Sequence, residues 1–276
     1  MASVPDFFGS PDLGMPNGSL EILSATFAIV LCRVSAIVMT SPGLGETTSP
    51  KTVRAGISLA ITITLLPVVQ GKMGVAAGEA IRMPAMAIAI VAQELLCGAF
   101  IGFLARLIAM SLAISMQIVS VFTGMSSIVQ PDAQLGASST AISHMANTLS
   151  PVILLTTGLY ALPLYAISGS YDLFPPGHMT EFMVSDMAKS ISQCVAETFG
   201  IAMQLSAPFI LIGTLWPAML GVLNRLMPSI QVYSTAMPAQ ILGSLLLLAM
   251  LIEVTTGTWQ EQISDILRSL PGILPA

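Results

Sequence analysis

Charged residues are scarce in this sequence: only 8% of the 276 residues are Asp, Glu, Lys or Arg, whereas 54% are hydrophobic. A typical soluble domain carries roughly 25% charged residues, so this chain lacks the polar side chains needed to cover a single core. The mean hydropathy of +0.86 agrees with that deficit. The composition therefore predicts a membrane protein organised as one integrated helical unit.

Basic residues are also few. Nine Lys and Arg against 14 Asp and Glu give a net charge of −5, and the sequence contains no basic block. Because phosphate backbones are bound by clustered Lys and Arg, nucleic acid is excluded as a ligand. Residues 1–32 contain no Lys or Arg, so the basic region that opens a secretory signal peptide is missing, and we expect the first apolar run to be retained.

Residues for metal or nucleophilic chemistry are sparse. There are only two histidines, His144 and His178, and no HExxH, CxxC or nucleotide-binding glycine loop. Ser139 and His144 lack the elbow motif of a serine nucleophile. The three cysteines are isolated and are expected to be small buried hydrophobes: Cys32, Cys97 and Cys194. We therefore expect no enzyme, no metal and no cofactor.

Long apolar runs supply candidate membrane helices, since crossing a bilayer takes about 20 apolar residues. The second run is short and ends near Pro67 and Gly71, and the third is too long for the hydrocarbon core unless it breaks or leaves the bilayer. Pro151, Gly158 and Pro163 predict that the fourth is kinked or divided. The runs are residues 22–40, 55–70, 84–122, 140–168, 205–223 and 230–252.

The C-terminal third begins with an amphipathic segment, residues 180–203, which we expect to lie at a surface or to pack against protein. Residues 205–252 then form a predicted helical hairpin, followed by a tail that is at most a short amphipathic helix with Trp259 as an interfacial anchor. The apolar stripe of the amphipathic segment is Met183, Met187, Ile191, Cys194 and Val195.

Four charges lie inside or between the apolar runs: Arg33, Glu94, Arg106 and Arg225. A charge facing lipid costs about 2.5 to 3.5 kcal/mol or more, so each is predicted to meet another helix, another subunit or water. Glu94 and Arg106 lie about 18 Å apart along one helix and cannot pair with each other. An assembly is therefore favoured over an isolated bundle in lipid, and a proton relay lacks the necessary number of titratable groups.

Four groups of residues form a pattern that covers most of the chain. Together they resemble the FliR family of flagellar export-gate proteins over roughly residues 21–256. The groups are Arg33 with Pro50, Lys51, Thr52, Val53, Arg54 and Pro67; Gln93, Glu94, Gly98, Gly102 and Phe103; Thr123, Gly124, Met125, Ser126, Pro131 and Asp132; and Ala207, Pro208, Gly221, Leu223, Asn224, Arg225, Pro228, Gln231, Tyr233, Pro238 and Gly243.

The resemblance implies an all-α integral membrane protein in which a FliP-like part is fused to a FliQ-like helical hairpin. These parts are residues 1–204, with a central loop at 123–139, and residues 205–256, followed by a short tail at 257–276. It further implies FliP-like and FliQ-like gate subunits, a FlhB-like switch protein, exported unfolded proteins and membrane lipid as partners. The implied location is the bacterial inner membrane within the flagellar basal body, largely above the bilayer plane.

By the same resemblance, the central loop closes a protein export channel at rest, although an ordinary connector is the alternative. The expected loop residues are Gly124, Met125, Ile128, Val129, Pro131, Asp132 and Gly136. The expected subunit-interface residues are Arg33, Arg54, Glu94, Gly98, Gly102, Arg106, Arg225, Pro228 and Pro238. Competing functions are the equivalent subunit of a virulence type III secretion system and a small-solute transporter, which predicts internal repeats that the sequence does not display.

Overall fold

The computed structural model describes residues 18–46, 49–127, 129–131, 138–178, 180–226 and 232–273, which are almost entirely helical. Two short antiparallel strands, β1 (Val129–Pro131) and β2 (Ser138–Thr140), lie between α4 and α5. The helices are α1 (Gly18–Thr40), α2 (Lys51–Arg82), α3 (Pro84–Ala109), α4 (Ser111–Phe122), α5 (Ala141–Thr157), α6 (Ala161–Leu173), α7 (Glu181–Leu226) and α8 (Val232–Arg268).

Five helical segments in the described chain are long and apolar enough to cross a membrane. They are α1, α2, α3 together with α4, α7 and α8, and the number rises to six if α5 and α6 form one span. The α5–α6 pair is bent by 72° at a break containing Gly158, whose φ of 78° is left-handed. The predicted division of this run and the all-α membrane class are both confirmed.

The α3–α4 segment lies at the centre of the packing. It begins at Pro84 and ends at Phe122 as predicted, with one interruption at Met110. In its apolar stretch 61% of the residues are buried, against 6% for α8. Helices α1 and α2 pack on α3, whereas α5 and α7 pack on α4. The α3–α4 segment thus contacts different helices along its length, so protein covers much of the surface that would otherwise face lipid.

Helix α1 packs closely on α3 because two glycines lie at the contact. A Cβ atom at Gly98 would collide with the carbonyl oxygen of Arg33, and one at Gly102 would lie 2.9 Å from the carbonyl oxygen of Ile37. Small residues four positions apart let helix backbones approach each other. The assignment of Gly98 and Gly102 to a subunit interface is therefore corrected, since α1 of the same chain occupies that face.

Helix α2 is longer than predicted. Its expected end near Pro67 and Gly71 is wrong, because the helix continues to Arg82. Pro67 removes a single backbone donor, while the additional turns bury apolar side chains against the rest of the chain. Tertiary packing therefore outweighs the helix breakers here. The buried residues of this extension are Val69, Met73, Ala76 and Ala77.

Helix α7 joins the amphipathic segment to the first arm of the predicted hairpin without interruption. It runs from Glu181 to Leu226 and includes Pro208 and Pro217. The predicted division between residues 204 and 205 is therefore not marked by any break in the backbone. The apolar stripe of the first half packs on the core, as predicted: Cys194 is buried, and Met183, Met187 and Ile191 pack against it in part.

Helix α8 includes most of the predicted C-terminal tail. The expectation of a separate tail from residue 257 is wrong for residues 257–268, because α8 continues without a break to Arg268. Trp259 is completely buried and donates from Nε1 to Ser111 Oγ at 3.0 Å, so it is not an interfacial anchor. The amphipathic C-terminal part of α8 instead packs on α3 and α6, where Ile263 and Leu267 are buried.

Candidate functional site

Arg33 and Glu94 form a completely buried ion pair that connects α1 with α3. Arg33 Nε and Nη2 donate to the two Glu94 carboxylate oxygens at 2.6 and 2.8 Å. Arg33 Nη1 donates to Ser170 Oγ at 3.0 Å, and Nη2 donates to the Phe174 carbonyl oxygen at 2.9 Å. The Arg33 guanidinium carbon lies 3.9 Å from the centre of the Tyr171 ring. This bidentate, charge-assisted arrangement ties α6 to α1 and α3.

The prediction that each of these charges meets another helix, another subunit or water is confirmed for Arg33 and Glu94, which pair with each other between α1 and α3. Their assignment to a subunit interface is corrected, because neither side chain has exposed surface. Next to Glu94, Gln93 Nε2 donates to the Pro175 carbonyl oxygen at 2.8 Å, and Gly177 N donates to Gln93 Oε1 at 3.1 Å. Gln93 therefore holds the turn after α6 directly, whereas Glu94 orients the Arg33 side chain that bonds the end of α6.

The first end of the central loop contacts the C-terminal hairpin. Phe122, the last residue of α4, accepts at its carbonyl oxygen from Gln240 Nε2 of α8 at 3.2 Å. Helix α7 passes the same residue at Gly213, where a Cβ atom would lie 2.5 Å from the Phe122 carbonyl oxygen. The chain then turns at Gly124, whose φ of 79° is left-handed. Both arms of the hairpin thus contact the residue from which the loop departs.

The second end of the loop is attached to α4 itself. Gln117 Oε1 accepts from the backbone N of Thr140 at 3.3 Å and from its hydroxyl at 3.0 Å. Thr140 also caps α5 by accepting from Ser143 N, and Ser143 Oγ donates to the Ala113 carbonyl oxygen at 3.0 Å. Strands β1 and β2 pair with Val129 opposite Thr140. The two ends of the loop are therefore brought together beside α4.

Some of the predicted loop residues lie in the described ends of the loop, and the others lie outside the described residues. Gly124 and the buried Met125 lie directly after α4. Val129 and Pro131 belong to β1, a strand that the sequence did not predict. Ile128, Asp132 and Gly136 lie outside the described residues. A seal formed by this loop stays a prediction.

Arg54 and Arg106 have different surroundings. Arg54 lies in the first turn of α2, where its Nη2 donates to the Ser49 carbonyl oxygen at 3.0 Å. Arg106 is half-buried in α3 and lines a small cavity together with Pro42 and Glu46. Their roles at a subunit interface stay predictions.

The hairpin exposes most of its surface. Arg225, in the last turn of α7, and Pro238, within α8, are exposed, whereas Pro228 lies outside the described residues. One face of α8 carries apolar side chains at intervals of four residues, each at least 63% exposed: Leu242, Leu246, Met250 and Val254. Such an apolar stripe needs lipid or another protein to cover it.

The described histidine and cysteine side chains, which could serve in catalysis or metal binding, do not form a cluster. His144 is half-buried on α5, and its Nδ1 has no hydrogen-bond partner among the described residues. No three His, Cys, Asp or Glu side chains converge as metal ligands within the part of the chain that the structure describes. Cys97 and Cys194 are buried free thiols, as predicted, and Cys32 is half-buried.

Three residues that contact the ends of the loop were not identified from the sequence: Gln117, Gly213 and Gln240. Gln117 and Gln240 are amides in apolar helices, and a buried amide needs a hydrogen-bond partner. That signal was available in the sequence, although it does not identify the partner. Gly213 carried no signal, because only its distance from Phe122 distinguishes it among 22 glycines.

Comparison with known proteins adds an independent observation. Residues 24–266 match the family described as bacterial export proteins, family 1. The chain is 30% identical to the flagellar biosynthetic protein FliR of Caulobacter vibrioides over 240 residues, covering 87% of this chain and 93% of the relative. It is 23% identical to FliR of Bacillus subtilis, with 86% and 90% covered. It is 21% identical to FliR of Escherichia coli, with 88% and 90% covered.

Proposed function

This chain belongs to the FliR family of bacterial export proteins, and from that premise we propose that it is a structural and gating subunit of the flagellar type III export channel. The family membership supports the coarser statement that it is a membrane component of the flagellar export apparatus. The finer proposal is that the assembled channel passes unfolded flagellar proteins across the inner membrane and that this subunit helps to close it at rest.

The observation that carries the gating role is the frame around the central loop. Phe122 is contacted by α7 and α8, and Thr140 is bonded to Gln117 on α4. A loop attached at both ends is confined to one region of the molecule, which a seal requires. By this proposal Gly124 and Gly136 allow the loop to move, and Met125 with its apolar neighbours excludes ions and water by dewetting.

The exposed apolar faces support a role within an assembly. By this proposal FliP-like and FliQ-like gate subunits cover part of the hairpin and of α2, lipid covers the remainder, and a FlhB-like protein contacts the complex. The FliQ-like portion comprises the second half of α7 with α8, and the preceding residues form the FliP-like portion. Much of the subunit would then lie in the basal body above the bilayer plane, where neighbouring proteins replace acyl chains.

The curated relatives favour the flagellar branch. The three described above carry the name flagellar biosynthetic protein FliR, which supports flagellar export over the equivalent virulence secretion subunit. The family match along residues 24–266 also favours export over small-solute transport.

Deletion of residues 123–136 tests the gating role. In cells carrying the otherwise complete export apparatus, we expect the deletion to raise resting ion leakage across the inner membrane, because it removes the proposed seal. The measurement is ion flux or membrane depolarisation without active export. Cells lacking the whole chain serve as the control, since they contain no assembled channel.

A second variant separates loss of the seal from loss of assembly. Replacing residues 127–136 by a Gly-Ser segment of equal length keeps the attachment points at Phe122 and Thr140. Leakage should rise in this variant too, with co-purification of the partner subunits retained. Resting leakage at the level of the unaltered chain in an assembled deletion complex would remove the gating proposal.

A further inference from the structure

A groove with a volume of about 480 Å³ lies between α5 and α8, and α4 forms its base. Its lining residues recur every three or four positions on α5 and on α8, so one face of each helix forms a wall. The walls extend from Ile142 to Val152 and from Leu245 to Thr256, and Leu112 and Met116 contribute the base.

The two walls run in the same direction. On α5, the hydroxyls of Ser143 and Ser150 donate in that order to carbonyl oxygens that lie successively nearer the start of the α3–α4 segment. On α8, the side chains of Gln240 and Trp259 donate in the same order towards the start of that segment. Both walls are therefore antiparallel to α4, and the start of α5 marks one end of the groove.

The dimensions of the groove match one acyl chain. At about 1.5 Å per residue, walls formed by residues 142–152 and 245–256 are about 15 Å long. That length is half of the roughly 30 Å hydrocarbon core, which is the depth that one acyl chain fills. A methylene group takes up about the volume of a water molecule, roughly 30 Å³, so the groove holds about 16 of them.

A helix of a partner protein is too large for this groove. With its side chains, an α-helix is about 10 Å across, so three turns of it occupy about 1,200 Å³, more than twice the volume of the groove. Two of the helices that form the groove, α4 as part of the α3–α4 segment and α8, belong to segments that are long and apolar enough to cross a membrane. The α8 wall is also adjacent to the exposed apolar stripe on the same helix, so the groove is continuous with a surface suited to hydrocarbon.

One polar atom in the groove lacks a partner. The hydroxyls of Thr148 and Thr256 donate to the carbonyl oxygens of His144 and Ile252 and are thereby satisfied. His144 lines the groove in the first turn of α5, and its buried Nδ1 has no hydrogen-bond partner among the described residues. Burial of a polar atom without a partner is costly. A ligand that is apolar along its length and polar at one end suits this arrangement.

We propose that the groove binds one acyl chain of a membrane phospholipid, whose ester carbonyl oxygen accepts a hydrogen bond from His144 Nδ1. The tautomer with the proton on Nδ1 supplies the donor. An ester group lies at the start of each acyl chain, so one histidine at the end of an apolar groove matches the chemistry of a phospholipid. The bound chain fills the space between α5 and α8 whether or not the central loop is a gate.

Photolabelling tests the site directly. The purified full chain is reconstituted into vesicles of phosphatidylethanolamine and phosphatidylglycerol that contain a small fraction of phosphatidylcholine with a diazirine on one acyl chain. After irradiation, mass spectrometry should find the label in residues 142–152 and 245–256 at several times its yield on the exposed apolar face of α7, at Leu211 and Leu215. Equal labelling of the groove and of that face would overturn the proposal.

Tryptophan substitutions test the groove by filling it. Leu149→Trp and Leu245→Trp should each reduce the phospholipid that co-purifies with the detergent-extracted chain from about one molecule per chain to a small fraction of that amount. Leu246→Trp is the matched control, because Leu246 is the neighbour of Leu245 on α8 but does not line the groove. Thermal unfolding checks that the variants fold. Equal lipid retention by Leu245→Trp and Leu246→Trp would contradict the proposal.

Two variants of His144 test the polar contact. His144→Phe keeps a ring and removes the hydrogen bond, and loss of one net hydrogen bond should weaken lipid retention about fivefold. His144→Asn keeps an N–H donor close to the position of Nδ1 and should restore most of the retention. Equal retention by the two variants would overturn the assignment of His144 to the ester group.

A photoreactive side chain distinguishes lipid from protein as the occupant. Leu149 is replaced by p-benzoylphenylalanine in cells that carry the complete export apparatus. Irradiation should give an adduct with the mass of a phospholipid. Cross-linking to another protein chain would show that a subunit occupies the groove, which would overturn the proposal. Either result leaves the gating function to its own test, the deletion of residues 123–136.

Discussion

Arg33 carries a charge in the middle of an apolar helix, and each nitrogen of its guanidinium donates to a defined acceptor. The Glu94 carboxylate, the Ser170 hydroxyl and the Phe174 carbonyl accept its donors, and the Tyr171 ring covers its face. Burial of an ion pair costs much of what its Coulomb attraction returns. The role of this cluster is therefore to define which helices meet, more than to add net stability.

Removing one partner of this pair is expected to be costly. Glu94→Ala leaves the Arg33 guanidinium buried without its counter-charge and should destabilise the fold by about 3 to 5 kcal/mol. The measurement is thermal unfolding of the detergent-purified full chain, in which the apparent melting temperature should fall markedly.

Two variants serve as controls for that experiment. The double change Arg33→Met with Glu94→Leu removes both charges and should recover most of the lost stability, because no charge is left uncompensated. Lys72→Ala breaks a mostly exposed ion pair with Asp172, and the expected loss is at most about 1 kcal/mol. A Glu94→Ala chain as stable as Lys72→Ala would show that Arg33 finds water or another partner.

At the scale of elements, the contact between α1 and α3 depends on backbone proximity. Gly98 and Gly102 place α3 against the carbonyl groups of Arg33 and Ile37. The same close approach brings Arg33 within reach of Glu94, which lies one turn before Gly98 on α3. Helix packing and the buried ion pair are thus coupled through one small-residue face.

Gly98→Ala is expected to disturb this contact. The added methyl group must displace the backbone of α1 and the Ala36 side chain, whose Cβ would lie 2.9 Å away. Overpacking of this kind costs about 1 to 3 kcal/mol, which the apparent melting temperature of the purified chain should report.

Gly200→Ala is the matched control within α7. Nothing lies within 4 Å of a Cβ atom at Gly200, and alanine is favoured over glycine in a helix by about 1 kcal/mol. This variant should therefore be unchanged or slightly more stable. Equal stability of the two variants would mean that α1 and α3 can separate without penalty.

At the scale of the whole molecule, buried polar contacts occupy the inside and apolar side chains cover much of the outside. Some of the inner contacts join side chains of distant helices, as where Trp259 of α8 donates to Ser111 of α4. The outer face of the hairpin carries the exposed stripe on α8 and the exposed Arg225. An exposed charge beside an apolar surface is where the proposed assembly would supply a partner.

Arg225→Ala should impair assembly with the other gate subunits more than it impairs membrane insertion. The physical reason is the loss of a cation at an exposed helix end. The measurement is co-purification of the partner subunits at matched amounts of inserted protein. A reduction to a fraction of the normal yield is expected.

Lys189→Ala supplies the comparison, because Lys189 is an exposed cation on the same helix but in its amphipathic first half. It should co-purify normally. Normal recovery of partners with Arg225→Ala would count against a role for that residue at the interface.

The sequence allowed much of the secondary structure to be predicted and less of the site. The helix class, the break at Gly158 and the long run from Pro84 to Phe122 follow from hydropathy and helix breakers, which act locally. The extension of α2 beyond Pro67 and the continuity of α8 through Trp259 did not follow, because both depend on burial against distant residues.

Composition by itself determined that this chain belongs in a membrane, and the motifs pointed to its family, because both are properties of residue type and order. Tertiary structure alone decided that Arg33 pairs with Glu94 inside the chain and that Gln240 and Gly213 meet Phe122. These contacts join residues that are 61, 118 and 91 positions apart. Hydropathy identifies polar groups that need partners, but only the packing of helices selects which partner each one meets.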